Sequence, residues 1–252
     1  MPEAHTVVRR APAKINIGLE ILGRRDDGYH DLVTIFQTVG LYDTLTVRQA
    51  GDMSMTATGL AVPTGETNLC LKAARAYFEA AGEDGGCEIA LHKTIPTGAG
   101  LGGGSSDAAA TLQALDELFG YEVDLPEIAA GIGSDVPFFL QGGTALGEGR
   151  GEKLTPAATL ASGSIVLAKP DVGVRTARAY SLLTPTDYSS GEKTRRLFEK
   201  LSAGAAPVDE AELITNGFQR VVEDACPPVR KLREHIETTA AVVAVMSGSG
   251  SC

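Results

Sequence analysis

The feature that most constrains the fold is a cluster of glycines between two segments of regular pattern. Five of the seven residues from Gly98 to Gly104 are glycine. The segment before them, 87–93, reads CEIALHK and has the alternation of a short strand. The segment after them has the apolar stripe of a helix, formed by Ala108, Leu112, Leu115 and Phe119. The sequence therefore predicts a strand, a glycine loop and a helix in succession.

Such a loop is suited to binding a chain of phosphates. Successive glycines allow backbone N–H groups to point into one concavity, and the N-terminus of the following helix adds about half a positive charge. We expect Ser105 and Ser106 to cap the first turn of that helix. The alternative is a tightly packed or flexible loop that holds no ligand.

The type of phosphate loop is narrowed by what surrounds it. Residues 98–103 fit G-x-G-x-x-G, but the acidic residue expected about 20 positions later on a second strand is missing. The chain also lacks G-x-x-x-x-G-K-[ST] and the H-R-D and D-F-G elements of protein kinases. A dinucleotide-binding oxidoreductase therefore remains only as an alternative.

Composition and charge exclude several classes of protein. The 252 residues are 43% apolar, which is enough for one large domain or two modest ones, and the net charge of −10 disfavours nucleic acid as a partner. The four cysteines have no C-x-x-C spacing, and the apolar run 240–246 is too short to cross a membrane. Because Arg9 and Arg10 interrupt the N-terminal segment, we expect a cytoplasmic protein.

The pattern along the chain predicts mixed α and β structure. Strands are predicted at 6–22, 32–48, 87–93, near 143–147, at 164–170 and in the apolar run 240–246, which leads into a glycine turn. Helices are predicted at 67–81, ended by Gly82, after the glycine loop, and at 192–203, 209–224 and 229–238. The pattern of residue types along the chain changes near residue 160, so we place a domain boundary between 158 and 159.

Three segments together resemble the motifs of a known family. They are Ala11–Asn16 (APAKIN), Pro96–Ala109 (PTGAGLGGGSSDAA) and Met246–Gly250 (MSGSG), and in this order they resemble the three motifs of the GHMP kinases, a family of small-molecule kinases. Residues 12–45 and 133–143 narrow the likeness to members that act on 4-diphosphocytidyl-2-C-methyl-D-erythritol. The resemblance implies ATP-dependent phosphorylation of its 2-hydroxyl in the non-mevalonate isoprenoid pathway.

The resemblance also implies a fold. We expect an α+β, two-domain GHMP kinase fold, with a ribosomal protein S5 domain 2-like N-terminal domain over 1–158 and a ferredoxin-like C-terminal domain over 159–252. Family members usually continue past the third motif with a strand, a helix and a further strand. We therefore expect the C-terminal domain to be incomplete at its end.

Two residues match the catalytic pair of the family. Asp135 matches the aspartate that accepts the hydroxyl proton, and Lys14 matches the lysine that pairs with it and polarises the hydroxyl. Without the resemblance, Asp135 would read as a turn or helix-cap residue and Lys14 as an exposed strand lysine.

The resemblance assigns further residues to ATP and Mg²⁺. Asn68 and Lys93 are expected near the adenosine, and Ser106 beside Mg²⁺, because a hydroxyl is a hard oxygen ligand. The phosphates are expected along Pro96, Thr97, Gly98, Ala99, Gly100, Leu101, Gly102, Gly103, Gly104, Ser105 and Ser106.

The segment DGYH is expected to recognise the cytidyl group. Asp27-Gly28 alone predicts a hairpin connection, whereas a cytosine ring requires an aromatic face and a hydrogen-bonding edge. The resemblance assigns stacking to Tyr29 and base recognition to His30. It places Asn16, Phe36 and Thr176 at the substrate as well.

Two other functions remain open on the sequence. One is a GHMP kinase for homoserine, a sugar or mevalonate, which the DGYH segment disfavours. The other is a catalytically silent nucleotide-binding protein. We expect a monomer or a homodimer.

Overall fold

The computed structural model describes residues 5–158, 160 and 163–252. The strands are β1 (Thr6–Arg24), β2 (His30–Ala50), β3 (Ser54–Gly59), β4 (Gly86–Lys93), β5 (Thr144–Gly149) and β6 (Lys153–Ala157). The α-helices are α1 (Leu69–Ala81), α2 (Gly103–Phe119), α3 (Leu125–Ile132), α4 (Val136–Gln141), α5 (Thr176–Ser181), α6 (Glu192–Ser202), α7 (Gln219–Ala225) and α8 (Pro227–Glu237). Short 3₁₀ segments occur at Pro185–Asp187 and Pro207–Leu213. None of the helices described here has the length and apolarity that crossing a bilayer demands.

The described chain forms two compact units, and both are discontinuous in sequence. Unit 1 contains residues 5–13, 39–97 and 102–141, and unit 2 contains 14–38, 98–101 and the described part of 142–252. Strands β1 and β2 and the glycine loop each run from one unit into the other. The domain boundary at 158/159 stays a prediction.

Unit 1 combines parts of the paired strands β1 and β2 with β3, β4 and four helices. Strand β4 pairs antiparallel with β2 and parallel with β3, so that Ile89 lies opposite both Val47 and Met55. Helix α1 contacts α2 and α3, and α2 contacts α4. The core side chains Tyr77, Ile89, Leu112, Leu115 and Phe138 are almost completely buried.

Helix α1 begins at an asparagine cap and ends at the glycine that its sequence predicts. The side chain of Asn68 accepts a hydrogen bond from Cys70 N at the first turn. Gly82 adopts a left-handed conformation with φ of 69° and ends the helix, and its N–H donates to the carbonyls of Phe78 and Glu79. The prediction of a helix over 67–81 ended by Gly82 is confirmed.

Unit 2 packs strands against the later helices. Strand β5 pairs antiparallel with both β2 and β6. One apolar cluster contains Leu19, Ile21, Leu32, Ala179, Phe218, Val221, Val222, Val229 and Met246. A second contains Ile17, Val33, Ile35, Leu146, Leu197, Leu201 and Leu213. The continuous burial of residues 16–21 in β1 and 32–36 in β2 thus serves two small cores, one with α5, α7 and α8 and one with α6.

The predicted serine cap of α2 is wrong. The N-cap is Gly102, with φ of 69°, and no side chain hydrogen-bonds to the exposed amides of the first turn. Ser105 and Ser106 lie inside the helix instead. A left-handed N-cap requires a residue without Cβ, so glycine rather than a hydroxyl side chain begins this helix.

Two predicted strands are also wrong. Residues 164–170 and 240–246 are not assigned to strands, and Val166 and Val242 are 85% and 66% exposed. A β-branched run becomes a strand only where a neighbouring strand pairs with it, and the described chain provides none there.

The helix predicted at 209–224 is divided, since a 3₁₀ segment precedes α7. Strands β3 and β6 were not predicted.

We predict that residue 86 must be glycine because the fold leaves no room for a Cβ there. A Cβ at this position would lie 2.7–2.8 Å from backbone atoms of Gly51 and Asp52. Gly86→Ala should therefore lower the free energy of unfolding by about 1–3 kcal/mol in urea denaturation. Gly40→Ala, where a Cβ meets nothing within 4 Å, is the control and should lower it by less than about 0.5 kcal/mol. Equal losses in both variants would contradict this account.

Candidate functional site

The glycine loop alternates left-handed residues with ordinary ones. Gly98, Gly100 and Gly102 have φ values of 62°, 75° and 69°. An L side chain in this conformation costs about 1–2 kcal/mol, so each of these positions favours glycine. The alternation turns the backbone sharply between Pro96 and the start of α2.

Within unit 2 the carbonyl groups of this loop are occupied. Lys14 N donates to Leu101 O at 2.9 Å, Cys252 N to Ala99 O at 3.2 Å, and Val174 N to Gly98 O at 3.3 Å. The hydroxyl of Ser247 donates to Gly100 O at 3.2 Å. In a trans peptide the N–H points opposite to the C=O, so the amides of residues 99–101 are directed away from these partners. The arrangement is suited to binding an anion through backbone amides.

Lys14 is buried in unit 2 with its ammonium held in place. The side chain is 3% exposed, and Nζ donates to Asn16 Oδ1 at 2.7 Å and lies 5.4 Å from the centre of the Phe36 ring. Asn16 Nδ2 donates to Thr34 Oγ1 at 2.7 Å, and Thr34 Oγ1 donates to Gly18 O at 2.7 Å. This chain of hydrogen bonds fixes the amide orientation, so that an oxygen faces the ammonium.

The turn of the third motif approaches the same ammonium. Gly248 has φ of 54°, and a Cβ on it would lie 3.3 Å from both Lys14 Nζ and Asn16 Oδ1 and 3.1 Å from Gly100 O. The turn also carries Ser249, whose hydroxyl lies 3.0 Å from that of Thr176. Unit 2 therefore brings together Lys14, Asn16, Phe36, Thr176 and the middle of the glycine loop.

Tyr29 and His30 lie at the β1–β2 connection, also in unit 2. Tyr29 is 55% exposed, and the guanidinium of Arg150 lies 4.7 Å from the centre of its ring. His30 is 8% exposed and stacks on Tyr180 with a centroid distance of 5.0 Å. Burial, assisted by Arg24, lowers the pKa of His30 below its usual value. At neutral pH the imidazole is therefore neutral, with one nitrogen as donor and the other as acceptor.

In unit 1, Asn68 and Lys93 are engaged in local contacts. Asn68 caps α1 and donates through Nδ2 to Pro63 O at 2.6 Å. Lys93 is 2% exposed, and its ammonium lies between the carboxylates of Asp43 and Asp107. Burial raises the pKa of Asp107 to about 7 against the opposing effect of Lys93. The predicted adenosine contacts of Asn68 and Lys93 stay predictions.

Asp135 and Ser106 also lie in unit 1. Asp135 is half-buried and immediately precedes α4. Asp135 lies in unit 1 and Lys14 lies in unit 2. The predicted pairing of these two residues stays a prediction. Ser106 Oγ and Asp107 Oδ1 are buried and have no hydrogen-bond partner within the described chain.

The orphaned hydroxyl of Ser106 is a hard oxygen donor of the kind that Mg²⁺ accepts. Mg²⁺ prefers oxygen ligands and takes only one or two from protein when phosphates supply others. Nowhere in the described ranges do three or more His, Cys, Asp or Glu side chains form a metal-binding group. The donor set therefore suits Mg²⁺ held together with phosphate oxygens and does not resemble a closed protein cage.

Comparison with known proteins identifies the family. A family model for the GHMP kinases N-terminal domain matches residues 68–143. The 4-diphosphocytidyl-2-C-methyl-D-erythritol kinase of Deinococcus radiodurans is 42% identical over 245 residues, which are 96% of this chain and 81% of that protein. The chain belongs to this family of GHMP kinases.

Solved structures agree with this assignment. The crystal structure of a 4-(cytidine 5'-diphospho)-2C-methyl-D-erythritol kinase matches with a TM-score of 0.76 at 37% identity, over 97% of this chain and 87% of that one. The homoserine kinase of Cytophaga hutchinsonii shares the fold, with a TM-score of 0.64 at 20% identity over 99% and 84%. The predicted α+β GHMP kinase fold is confirmed, and the oxidoreductase alternative is excluded.

Several residues of this site were missed by the sequence analysis. Thr34 and Asp43 had a signal, because each is a polar residue inside a strand of mostly apolar ones. Asp107 lies within the second motif but has no assigned role there. No sequence pattern indicated a role for Arg150, because its contact with Tyr29 joins positions that are distant in the sequence.

We predict that Gly248 is needed to keep Lys14 in position. Gly248→Ala should lower kcat by about tenfold or more, because its Cβ would displace the ammonium, and misplacement by about 1 Å can cost a hundredfold. The control is Gly143→Ala, which also places alanine at a positive φ of 75° but meets nothing within 4 Å. Steady-state kinetics would contradict the prediction if both variants kept the kcat of the unmodified enzyme.

Proposed function

We propose that this chain transfers the γ-phosphoryl group of ATP to the 2-hydroxyl of 4-diphosphocytidyl-2-C-methyl-D-erythritol, giving the 2-phosphate and ADP, in the methylerythritol phosphate pathway to isoprenoid precursors. A bond forms between the hydroxyl oxygen and the γ-phosphorus, and the bond from that phosphorus to the bridging oxygen of ADP breaks. The hydroxyl proton passes to a carboxylate. The relatives of this family carry the name of the same kinase.

The observation that carries the proposal is the environment of Lys14. A buried ammonium, oriented by Asn16, lies close to the third-motif turn and the Gly100 carbonyl. Phosphoryl transfer requires the developing negative charge to be stabilised and the reacting groups to be positioned. Lys14 supplies a fixed positive charge for that purpose, and its lack of solvent exposure strengthens the electrostatic effect.

Asp135 is proposed as the proton acceptor. Its position at the start of α4 is compatible with a carboxylate that is partly accessible. A general base requires a carboxylate that can accept a proton and lies within hydrogen-bond reach of the substrate hydroxyl.

The glycine loop and α2 are proposed to bind the phosphates of ATP. The loop amides that point away from the partners of the loop carbonyls, and the amides of the first turn of α2, supply N–H donors without side-chain charge. Mg²⁺ would be held by Ser106, and when bound it would neutralise charge on the β- and γ-phosphates. Pro96, Thr97, Asn68 and Lys93 are proposed to lie around the same nucleotide.

The cytidyl group is proposed to bind at the β1–β2 connection. The exposed ring of Tyr29 would stack on cytosine, and the neutral imidazole of His30 would donate and accept hydrogen bonds at its edge. Asn16 and Thr176 are proposed to contact the methylerythritol part of the substrate. Phe36 is 2% exposed beneath Lys14, so its proposed contribution is to the shape of the pocket floor.

A cytoplasmic location and a monomeric or homodimeric state are also proposed. The low cysteine content without paired spacing supports a reducing compartment.

The decisive experiment measures ADP release with MgATP. Four acceptors are supplied separately: the cytidyl-methylerythritol substrate, homoserine, galactose and mevalonate. Asp135→Asn is the blank, and we expect it to lower kcat by about 10²–10⁴-fold because the proton acceptor is lost, with nucleotide affinity retained within about twofold.

The outcomes separate the alternatives. Turnover with the cytidyl substrate alone supports the proposal, and turnover with another acceptor replaces it by a different GHMP kinase. ATP binding without turnover on any acceptor would indicate a catalytically silent protein. Substantial turnover in Asp135→Asn would remove Asp135 from the mechanism.

We predict that Tyr29 contributes to the affinity for the cytidyl substrate. Tyr29→Ala should raise the KM for that substrate by about 5- to 100-fold, since base stacking contributes about 1–3 kcal/mol, while Tyr29→Phe should keep it. The matched control is Tyr42→Ala, because Tyr42 is also exposed and lies under an arginine, Arg10. An unchanged KM in Tyr29→Ala, with the KM for ATP also unchanged, would show that this assignment is wrong.

A further inference from the structure

A cluster of three buried ionisable side chains lies in unit 1 beneath the ends of the glycine loop. Lys93, Asp43 and Asp107 are 2%, 0% and 3% exposed. The ammonium donates to Asp107 Oδ2 at 2.6 Å and to Asp43 Oδ2. We call these three residues the Lys93 cluster. The resemblance to the family gives Lys93 an expected place near the adenosine and gives no role to Asp43 or Asp107.

The Lys93 cluster fixes the chain that enters the loop. Asp43 projects from β2, and its Oδ1 accepts hydrogen bonds from Thr94 N at 2.5 Å and Ile95 N at 2.8 Å. These two residues connect the end of β4 directly to Pro96. Hydrogen bonds from two backbone amides to the buried carboxylate of Asp43 thus hold the start of the loop in place.

The same cluster fixes the chain that leaves the loop. Asp107 lies in α2, four residues after its first residue, Gly103. A Cβ at Gly103 would lie 2.9 Å from both Lys93 Nζ and Ile95 Cγ2, so the start of α2 passes directly over the cluster. Lys93 therefore bonds to both ends of one loop through two different carboxylates.

Stability alone does not account for three buried charges. Desolvation of buried ion pairs offsets most of their attraction, and apolar side chains of similar volume often stabilise a fold as well or better. The ion cluster instead has direction, because both oxygens of Asp43 and Oδ2 of Asp107 each have a fixed donor. The cluster also has an electrostatic effect. The positive charge of Lys93 offsets the negative charge of Asp107, which would otherwise repel an anion at the N-terminus of α2.

We propose that Lys93 and Asp107 are positioning residues for the nucleotide: together with Asp43 they hold the two ends of the glycine loop at a fixed separation, so that its amides are preorganised before phosphate binds. The proposal rests on the proposed function for the identity of the ligand. It assigns to the Lys93 side chain an indirect action on ATP through the loop, since two carboxylates already accept hydrogen bonds from its ammonium.

The test compares variants of Asp107 in nucleotide binding and in loop protection. Asp107→Ala should raise the Kd for a non-hydrolysable MgATP analogue by about 10- to 100-fold, because a loop displaced by about 1 Å loses several hydrogen bonds together. Asp107→Asn retains an acceptor and the side-chain shape, so its Kd should stay within about threefold. Asp116→Ala removes a carboxylate from the same helix outside the cluster and is the matched control.

Two further readouts distinguish positioning from general loss of structure. In Asp107→Ala the KM for ATP should rise while kcat at saturating ATP falls less than about threefold, and the affinity for the cytidyl substrate should not change. Hydrogen exchange of the amides of residues 98–106, measured without nucleotide, should become faster in Asp107→Ala and stay unchanged in Asp116→Ala.

The proposal is overturned if folded Asp107→Ala binds the analogue as tightly as the unmodified protein, or if its loop amides exchange at the original rate. Where Asp107→Ala does not fold, Gly103→Ala decides, because it keeps every ionisable group and places a methyl group against Lys93. Unchanged loop exchange in folded Gly103→Ala overturns the proposal as well. The analogue-binding and hydrogen-exchange measurements use no phosphoryl acceptor, so they succeed or fail independently of the substrate proposed above.

Discussion

Close approach of backbone to backbone is the constraint on which the candidate site depends. A side chain at Gly100 would overlap the carbonyl oxygen of Ser247, and one at Gly248 would press on Lys14 and Asn16. Both glycines also have positive φ, which costs other residues about 1–2 kcal/mol. The residues that touch here come from three sequence motifs, so the absence of side chains is what allows the motifs to meet.

The two buried lysines show how one side chain serves different purposes. Lys93 lies between carboxylates and holds neighbouring segments together, whereas Lys14 lies against an amide oxygen and an aromatic ring. The neighbours of a buried ammonium, rather than the residue type, therefore decide which parts of the chain it connects.

Elements with strong local signals could be predicted from the sequence. Helix α1 has an asparagine cap and a terminal glycine, and β1 and β2 have long β-branched alternation, so each is recognisable within its own residues. The segments 164–170 and 240–246 have the same β-branched texture but do not form strands. Pairing depends on a neighbour elsewhere in the chain, and no local pattern reports whether that neighbour is present.

The residues of the candidate site also differ in how well the sequence predicts them. Lys14, Asn16, Tyr29 and His30 could be predicted because they lie within or beside recognisable motifs. Their pairing with Thr34 and Arg150 could not be predicted, because these residues reach them through the fold. Asp43 is 50 residues from Lys93 in sequence, and its polar position in a strand does not indicate which residue it pairs with. Residues that perform chemistry are therefore easier to predict than those that hold them in position.

The contact between the glycine loop and the third-motif turn has a consequence for the order of folding. Ser247 and Gly100 are 147 residues apart in sequence, and their hydrogen bond closes a very long loop of chain. Contacts of such separation form late, because their entropy cost must be met before they contribute, and synthesis delivers residue 247 long after residue 100. Helix α2 can form early from local contacts, but the loop before it reaches its final shape only when the distant turn docks. The loop conformation on which the proposed phosphate binding depends is thus acquired near the end of folding.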